Sequence, residues 1–373
     1  MGRTRYRHAR VYATLRSAHL ERAHRLEPAS ILYRDRRFDF DPALTTGLDL
    51  HQGGLRALLA TVWRSRLTAV ELNEPLFRTA LGRTLAAVAV ARLAARVHRQ
   101  PVRLVSYAIE NRDPFAGPPG TGRRARARAA VDRVLARAVA RGLDRIAFGT
   151  SAAEQLYQTT LGPSLRSAAT RVVPALPAAC DDCPPAAPAG RGDRVLFLGA
   201  FTERKGLPQL LEAWPHVRSR RPTARLSLYG KGPLEEAARG LAAADPSVEV
   251  VVDAPRHAVH AALRGSAVVV LFSQPTPRWR EQVGLPVVEA LAHGCAVVTS
   301  DQTGLAEWLG AHGHDVLPAT ASPVALADRV VAALDRERPV ASVVADLPAA
   351  DGRRSADEWL FSVAPGRSTT AAG

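Results

Sequence analysis

Lysine is nearly absent from this chain, which has two lysines against 48 arginines among its 373 residues. Cysteine is also scarce. There are three cysteines, and because Cys295 lies in a predicted buried strand, the sequence argues against a disulfide framework. The 11 histidines show no zinc-ligand spacing. The sequence therefore predicts neither a disulfide-stabilised fold nor a metal site.

Long apolar segments are missing too. The best candidate for a membrane-spanning helix, from Leu85 to Val97, is too short and is interrupted by Arg92 and Arg96. No apolar segment follows the Arg-rich N-terminus, so we expect no signal peptide. We therefore expect a cytoplasmic protein that reaches membranes only from the side.

Hydrophobic residues make up 47% of the chain, which at this length is enough for two α/β domains with full cores. Strand and helix patterns alternate, which predicts a parallel sheet with right-handed crossovers in each of two Rossmann-like domains. The predicted strands of the first half are Arg10–Leu15, Ile31–Phe38, Thr68–Asn73, Val102–Ile109, Arg145–Phe148 and 172–174. The predicted helices of that half lie near 54–65, 78–98, 122–141 and 152–160.

A segment rich in proline and alanine, Pro174–Gly192, separates the two halves and suits neither a regular helix nor an interior strand. It contains Cys180 and Cys183, but a lone Cys-x2-Cys pair is weak evidence for zinc or redox chemistry, and two reduced thiols are the simpler interpretation. The predicted divisions are a first domain at 1–175, a linker at 176–192, a second domain at 193–345, a helix near 354–362 that crosses back onto the first domain, and a disordered tail at 363–373.

The most informative segment is Glu281-Gln-Val-Gly-Leu-Pro-Val-Val-Glu289, which follows the apolar run Ala267–Phe272. The run predicts a strand buried on both faces, and the segment then predicts a loop and a short helix that opens at Gly284 and Leu285. A helix N-terminus favours a diphosphate, whereas carboxylates accept hydrogen bonds from hydroxyls. A carboxylate on each side of an anion site therefore predicts a nucleotide sugar as the ligand.

Two earlier segments each join a strand to a glycine turn, one through Arg194–Gly206 and one through Leu226–Leu234. The chain's only lysines, Lys205 and Lys231, lie in these segments. A compact ammonium binds a diphosphate as a point charge, so Lys205 is the predicted phosphate ligand, while Lys231 is as well explained as a solvated turn residue as by a donor contact. The other donor-binding candidates in these segments are Gly199, Arg204 and Gly230.

Together the three segments resemble motifs of the retaining glycosyltransferases of family 4, often called group 1, which have the two-domain GT-B fold. The resemblance implies a donor held in a central cleft between the two parallel sheets. It also implies that Glu281 contacts the donor sugar, that Glu289 contacts the ribose, and that Asp301–Glu307 closes the donor site. In the family's front-face mechanism the leaving phosphate deprotonates the acceptor, so the protein mainly stabilises charge on the diphosphate.

The chain departs from the family pattern at two places. Ala200 stands where the family has an arginine, and Arg204 is the candidate to supply the missing charge. Glu110 and Asn111 follow a strand after which many relatives carry a histidine. Glu110 is the better of the two candidates for a sugar contact. It is equally well explained as a strand-end residue whose side chain binds the backbone. Arg256, near the loop that faces the base in the family, is either a base contact or a surface residue.

Positive charge is concentrated in residues 1–190, where 30 arginines face 15 acidic residues, whereas residues 191–373 contain 20 basic and 20 acidic residues. The most basic stretch, Arg123–Arg141, predicts a helix with Arg133, Arg137 and Arg141 on one face and an apolar face formed by Val131, Val134, Leu135 and Val139. A solvated surface helix explains this pattern, as does docking onto anionic lipid or an anionic acceptor. Nucleic acid is disfavoured because no aromatic reading motif accompanies the charge.

These features predict a metal-independent, retaining hexosyl transfer from a nucleotide sugar, without a cofactor, to a sugar, lipid or small-molecule acceptor. A catalytically silent nucleotide-sugar-binding subunit on the same fold is the first alternative, and a sugar-nucleotide epimerase or phosphorylase is the second. Asp39-Phe-Asp41 matches the Asp-x-Asp of metal-dependent glycosyltransferases of another fold, but nothing around it supports that fold.

Overall fold

The computed structural model describes residues 3–37, 40–117, 122–180, 191–277 and 279–362. Asp39, Cys183 and the predicted tail at 363–373 lie outside these residues, as does most of the predicted linker. The described chain forms two units. The first comprises Met1–Phe148, Gln155–Val173 and the segment from Arg353 onward, and the second comprises Gly149–Glu154 and Pro174–Gly352.

The sheet of the first unit has seven strands in the order β3-β2-β1-β4-β5-β6-β7, and all of its strand pairs are parallel. Its strands are β1 His8–Leu15, β2 Ser30–Arg36, β3 Leu50–Gln52, β4 Ala69–Glu71, β5 Arg103–Ala108, β6 Arg145–Phe148 and β7 Ala169–Val172. The helices between these strands are α1 Ser17–Ala23, α2 Leu55–Arg64, α3 Leu81–Val97, α4 Arg123–Arg141 and α5 Ser151–Leu161.

The sheet of the second unit has six parallel strands in the order β10-β9-β8-β11-β12-β13. Its strands are β8 Arg194–Leu198, β9 Arg225–Tyr229, β10 Val248–Val251, β11 Val268–Leu271, β12 Ala296–Ser300 and β13 Asp315–Leu317. The later helices are α6 Leu207–Arg220, α7 Glu235–Ala244, α8 Arg256–Gly265, α9 Leu285–Ala292, α10 Ala306–Ala311, α11 Pro323–Asp335, α12 Val340–Ala345 and α13 Gly352–Phe361. Two parallel-sheet α/β units confirm the predicted fold class.

The central strands of the second sheet are buried on both faces, as the unbroken apolar run predicted. On β11, Val268 and Val270 pack into one core cluster, whereas Val269 and Leu271 pack into the other. This alternation follows from the two-residue period of a strand covered by helices on both sides. The strand order reverses between β8 and β11, and in open parallel sheets a ligand crevice forms at the carboxyl ends of the strands beside such a reversal.

Helix α13 is anchored within the first unit by four buried charges. Arg10 on β1 binds Asp357 at 2.7 Å and Glu71 at 3.2 Å, and Arg353 binds the same two carboxylates at 3.2 and 2.5 Å respectively. Burial lowers the pKa of Arg353, but Glu71 and Asp357 outweigh that effect and raise it above its usual range. The charges of this buried ion cluster balance, and it ties the helix to the two central strands β1 and β4.

Helix α4 differs from the prediction in which apolar residues it buries. Val139 is fully buried together with Ala136 and Ala140, but Val131 and Val134 are 59% and 62% exposed. The core-facing stripe therefore occupies only the C-terminal part of the helix. Among the described residues, no helix combines the length and the hydrophobicity that crossing a membrane requires.

Candidate functional site

The N-terminus of α9 is built on a glycine in the left-handed region. Gly284 has φ +82°, and a Cβ at this position would lie 3.2 Å from a methyl group of Leu271 and 3.5 Å from Cγ of Glu281. Leu285 is the first helical residue and is exposed. Pro286 has no N–H, and the Val287 amide donates to the Gly284 carbonyl at 2.9 Å. The amides that can receive an anion at this end, next to the Glu281 side chain, are therefore those of Gly284 and Leu285.

Glu281 and Lys205 form an ion pair between the loop before α9 and the turn before α6. Their side chains are only 10% and 12% exposed, so the pair is shielded from most solvent. Ser273, at the carboxyl end of β11, donates its hydroxyl to the same Glu281 oxygen at 3.1 Å. Glu281, the residue predicted to contact the sugar, and Lys205, the residue predicted to bind the phosphate, are thus adjacent, and the Glu281 side chain lies beside Gly284.

Three glycines bring the strand ends of this unit close together. A Cβ on Gly230 would lie 1.8 Å from the carbonyl oxygen of Gly199, and one on Gly206 would lie 1.9 Å from the carbonyl oxygen of Phe272. Each of these glycines has a positive φ. A Cβ on Gly199 would be 3.8 Å from Pro286, the second residue of α9. The turn after β8 therefore lies against the start of the helix that carries Glu289.

Trp279, which was not among the predicted site residues, lies near both cations of the loop before α6, Arg204 and Lys205. The guanidinium of Arg204 lies 4.6 Å from the centre of the indole ring, and the Lys205 ammonium lies 5.5 Å from it. Lys231 points elsewhere and forms an exposed ion pair with Asp253 at 2.5 Å. Arg204 and Lys205 therefore lie near the same aromatic ring, whereas Lys231 lies in an exposed ion pair, as a solvated turn residue does.

Glu289 projects from the second turn of α9 and accepts a 2.6 Å bond from Arg256, the first residue of α8. The two candidates for the ribose and base contacts therefore contact each other.

The loop after β12 binds the segment that carries Glu281. Thr303 donates its hydroxyl to the Val283 carbonyl at 2.9 Å, and the Gly304 amide donates to the Glu281 carbonyl at 3.1 Å.

In the first unit, Glu110 interacts through its backbone amide and its charge with the buried carboxyl group of Glu74, which was not predicted from the sequence. Glu74 accepts the backbone amides of Ile109 and Glu110, both at 3.1 Å, and the Tyr157 hydroxyl at 2.9 Å. Burial, reinforced by the charge of Glu110, raises the pKa of Glu74 to about 7. Glu110 itself accepts the Arg112 amide at 3.2 Å, the backbone contact of a strand-end residue.

A third group of polar side chains, which are far apart in sequence, lies at the C-terminal end of α9. Cys180, His260 and His293 place one ligand atom each within 4.8 Å of one another. They come from the segment after β7, from α8 and from the C-cap of α9. Sequence spacing gave no sign of this group because 80 residues separate Cys180 from His260 and 33 separate the two histidines.

Residues 192–336 match the model of the family described as glycosyl transferases group 1. A phosphatidyl-myo-inositol mannosyltransferase of Mycobacterium tuberculosis is 37% identical over 164 residues, which cover 41% of this chain and 42% of that protein. A protein of the same name from Mycobacterium bovis matches to the same extent. The chain therefore matches less than half the length of these relatives.

Solved structures share the fold over most of the chain at low sequence identity. The lipopolysaccharide outer core galactosyltransferase WaaB superposes with a TM-score of 0.63 at 11% identity, covering 91% of this chain and 94% of WaaB. Anabaena HepE, solved in complex with UDP and glucose, superposes with a TM-score of 0.55 at 13% identity, covering 95% of both chains. At these identities the likeness shows the fold, which is that of two-domain GT-B glycosyltransferases.

Proposed function

We propose that this chain, whose residues 192–336 belong to the glycosyl transferases group 1 family, transfers a hexosyl group from a nucleotide sugar to an acceptor with retention of configuration. The observation that carries the proposal is the pairing of Lys205 with Glu281 beside the Gly284 end of α9. It joins a cation for the diphosphate, a carboxylate for sugar hydroxyls and a helix N-terminus in one place.

The chemistry proposed for this site is mainly charge stabilisation. Negative charge grows on the diphosphate as the glycosidic bond breaks, and the Lys205 ammonium and the amides of Gly284 and Leu285 would stabilise that charge. The Glu281 carboxylate, which Lys205 and Ser273 hold in place, would accept hydrogen bonds from the sugar. The departing phosphate would take the acceptor proton, so the reaction needs no metal and no separate protein base.

Replacing Glu289 by glutamine tests the ribose assignment. The substitution keeps the shape of the side chain but exchanges half of its acceptor capacity for donors and removes the charge that pairs with Arg256. We expect nucleoside diphosphate binding to weaken by about 1–3 kcal/mol, or roughly 5- to 150-fold in Kd. Isothermal calorimetry with a panel of nucleoside diphosphates measures this. Glu212→Gln, on the exposed face of α6, is the matched control, and an unchanged Kd for Glu289→Gln would refute the assignment.

A catalytically silent binding subunit remains the competing function, because the chain lacks the family's histidine after β5. It predicts that nucleoside diphosphates bind while no nucleotide sugar is turned over with any acceptor. Hydrolysis or transfer from any donor would exclude it. An epimerase would convert the donor without releasing a nucleoside diphosphate, so assaying that release separates it from both.

We also propose that α4 contacts an anionic membrane surface, which would make the protein a peripheral cytoplasmic enzyme. The helix exposes Val131 and Val134 in the same stretch as its exposed arginines, a combination suited to a lipid headgroup region. Arg133 is partly engaged, lying 3.7 Å from Asp113 and 5.3 Å from the Phe115 ring centre. The name of the mycobacterial relatives gives an anionic lipid as their substrate, which supports the same proposal for this chain.

Cosedimentation with vesicles tests the membrane contact. We expect binding to anionic vesicles that weakens with salt, and little binding to neutral vesicles, because each basic residue near a charged membrane contributes roughly 1 kcal/mol. Changing Arg124, Arg126 and Arg128 to alanine together should weaken binding by roughly 100-fold on that basis. The matched control changes three exposed arginines of the second unit, Arg220, Arg225 and Arg239. Salt-independent binding, or binding to neither vesicle, would contradict the proposal.

A further inference from the structure

Cys180, His260 and His293 are brought together at the C-terminal end of α9, and they form a cluster of potential metal ligands that the proposed transfer reaction does not use. The Cys180 amide donates to the carbonyl of Ala292 at 2.9 Å, so the backbone holds the thiol beside the end of this helix. His260 approaches from α8 and His293 caps α9. Three separate segments of one unit therefore converge here.

Two of the three distances between the ligand atoms are close to those around a small tetrahedral ion, and the third is at most 4.8 Å. Nδ1 of His260 lies 3.0 Å from Nε2 of His293 and 3.7 Å from the sulfur of Cys180. A tetrahedral zinc ion, with metal–nitrogen bonds of about 2.0–2.1 Å and a metal–sulfur bond of about 2.3 Å, requires neighbouring ligand atoms roughly 3.3–3.6 Å apart. Shifts of a few tenths of an ångström would bring these two pairs of atoms to that spacing.

The hydrogen bonding of His293 prepares it as a ligand. Its Nδ1 lies 2.7 Å from the carbonyl oxygen of Glu289, so Nδ1 carries the proton and Nε2 presents its lone pair toward His260. A carbonyl that fixes the tautomer and ring orientation of a histidine is the usual outer-sphere support of a zinc ligand.

We propose that Cys180, His260 and His293 bind one Zn²⁺ ion, with the Cys180 thiol deprotonated and water in the fourth position. One thiolate and two neutral imidazoles form a ligand set suited to zinc, and their softness disfavours magnesium and calcium. The ion would join the segment after β7 to both α8 and α9. Because Arg256 and Glu289 lie on those two helices, zinc would also fix the spacing of that ion pair.

Zinc titration of the full chain tests the proposal without an activity assay. Protein freed of metal by a chelator and kept reduced with a phosphine is titrated with Zn²⁺ against a chromophoric competitor. We expect one equivalent to bind tightly and to raise the melting temperature, because the ion binds the native state. With Co²⁺ as the probe, a thiolate-to-metal charge-transfer band should appear and should be absent in Cys180→Ser.

Single variants identify the ligands. Cys180→Ser, His260→Ala and His293→Ala should each lower zinc affinity by at least about 100-fold, since loss of merely an outer-sphere partner costs about 10- to 100-fold. His257→Ala, which removes an exposed histidine one turn away on α8, should bind zinc like the unmodified chain. Far-UV circular dichroism of the metal-free variants shows whether each has folded. No tight equivalent in the folded parent, or affinity unchanged by Cys180→Ser and His260→Ala, would overturn the proposal.

Discussion

Replacing Lys205 by alanine is expected to lower turnover at saturating donor by about 100-fold or more, the loss typical of removing one preorganised group that stabilises transition-state charge. Lys205 has this effect in our proposal because the leaving diphosphate gains charge only as the glycosidic bond breaks. The Michaelis constant for the donor should rise as well. Steady-state kinetics over a full range of donor concentrations separates the two effects, and a rise in the Michaelis constant alone would show uniform binding instead.

Two further variants make the Lys205 result specific. Lys205→Arg keeps the charge but replaces a point charge with a planar fork, so it should recover only part of the activity. Arg220→Ala removes an exposed cation at the far end of α6 and should leave turnover unchanged. Because Lys205 and Glu281 contact each other, the effects of Lys205→Ala and Glu281→Gln should not add in the double variant.

Replacing Asp357 by asparagine is expected to destabilise the first unit by about 3–5 kcal/mol, the cost of leaving a buried charge without its partner. Asp357 is fully buried and contacts Arg10 through both oxygens, at 2.8 and 2.7 Å, and it also accepts the Glu27 amide at 2.9 Å. The neutral amide would leave the buried ion cluster with an excess positive charge. Urea denaturation, followed by far-UV circular dichroism and by the fluorescence of the chain's five tryptophans, measures the loss.

The neighbouring residue of α13 provides the control for Asp357. Glu358 pairs with Arg354, but the two side chains are 53% and 58% exposed, so Glu358→Gln should cost at most about 0.5 kcal/mol. A double variant that replaces Arg10 by methionine and Asp357 by leucine removes both members of one pair. It should be more stable than Asp357→Asn, because no lone charge stays buried. Equal effects of Asp357→Asn and Glu358→Gln would contradict this account of the cluster.

The elements that could be predicted from sequence are those whose pattern reflects burial directly. The run around β11 is apolar at every position because helices cover both faces of the sheet, and its boundaries agree with the structure to within a residue. In contrast, α1 buries a single residue, Leu20, and β3 is a three-residue edge strand, Leu50–Gln52, with an exposed end. Neither element has enough buried positions for its hydrophobic residues to show a helical or strand periodicity, and neither was predicted.

The location of the candidate site followed from its motifs, but the contacts within it did not. The carboxyl ends of parallel strands share one edge of a sheet, so Gly199, Gly230 and Glu281 were expected near one another. That Lys205 would bind Glu281, 76 residues away, depends on how the turns after β8 and β11 pack. The contributions of Ser273 and Trp279 had no sequence signal beyond their position after a buried strand.

Arg10 shows where periodicity misleads. A charged residue at the start of the predicted strand Arg10–Leu15 suggests an exposed position, yet Arg10 is 1% exposed. Its partner Asp357 lies 347 residues further along the chain, in a helix whose many charged residues are typical of a protein surface. No local pattern can reveal two charges that are stable in the interior only because each neutralises the other.

This buried ion cluster also constrains the order of events on the ribosome. Synthesis proceeds at about 5–20 residues per second, so roughly 20–70 s pass between the appearance of Arg10 and that of Asp357. During most of that interval Arg10 and Glu71 can pair only with each other, because their other partners, Asp357 and Arg353, have not yet been made. The second unit ends at Gly352, so it can finish folding before the ion cluster of the first unit is complete, although most of the first unit is synthesised earlier.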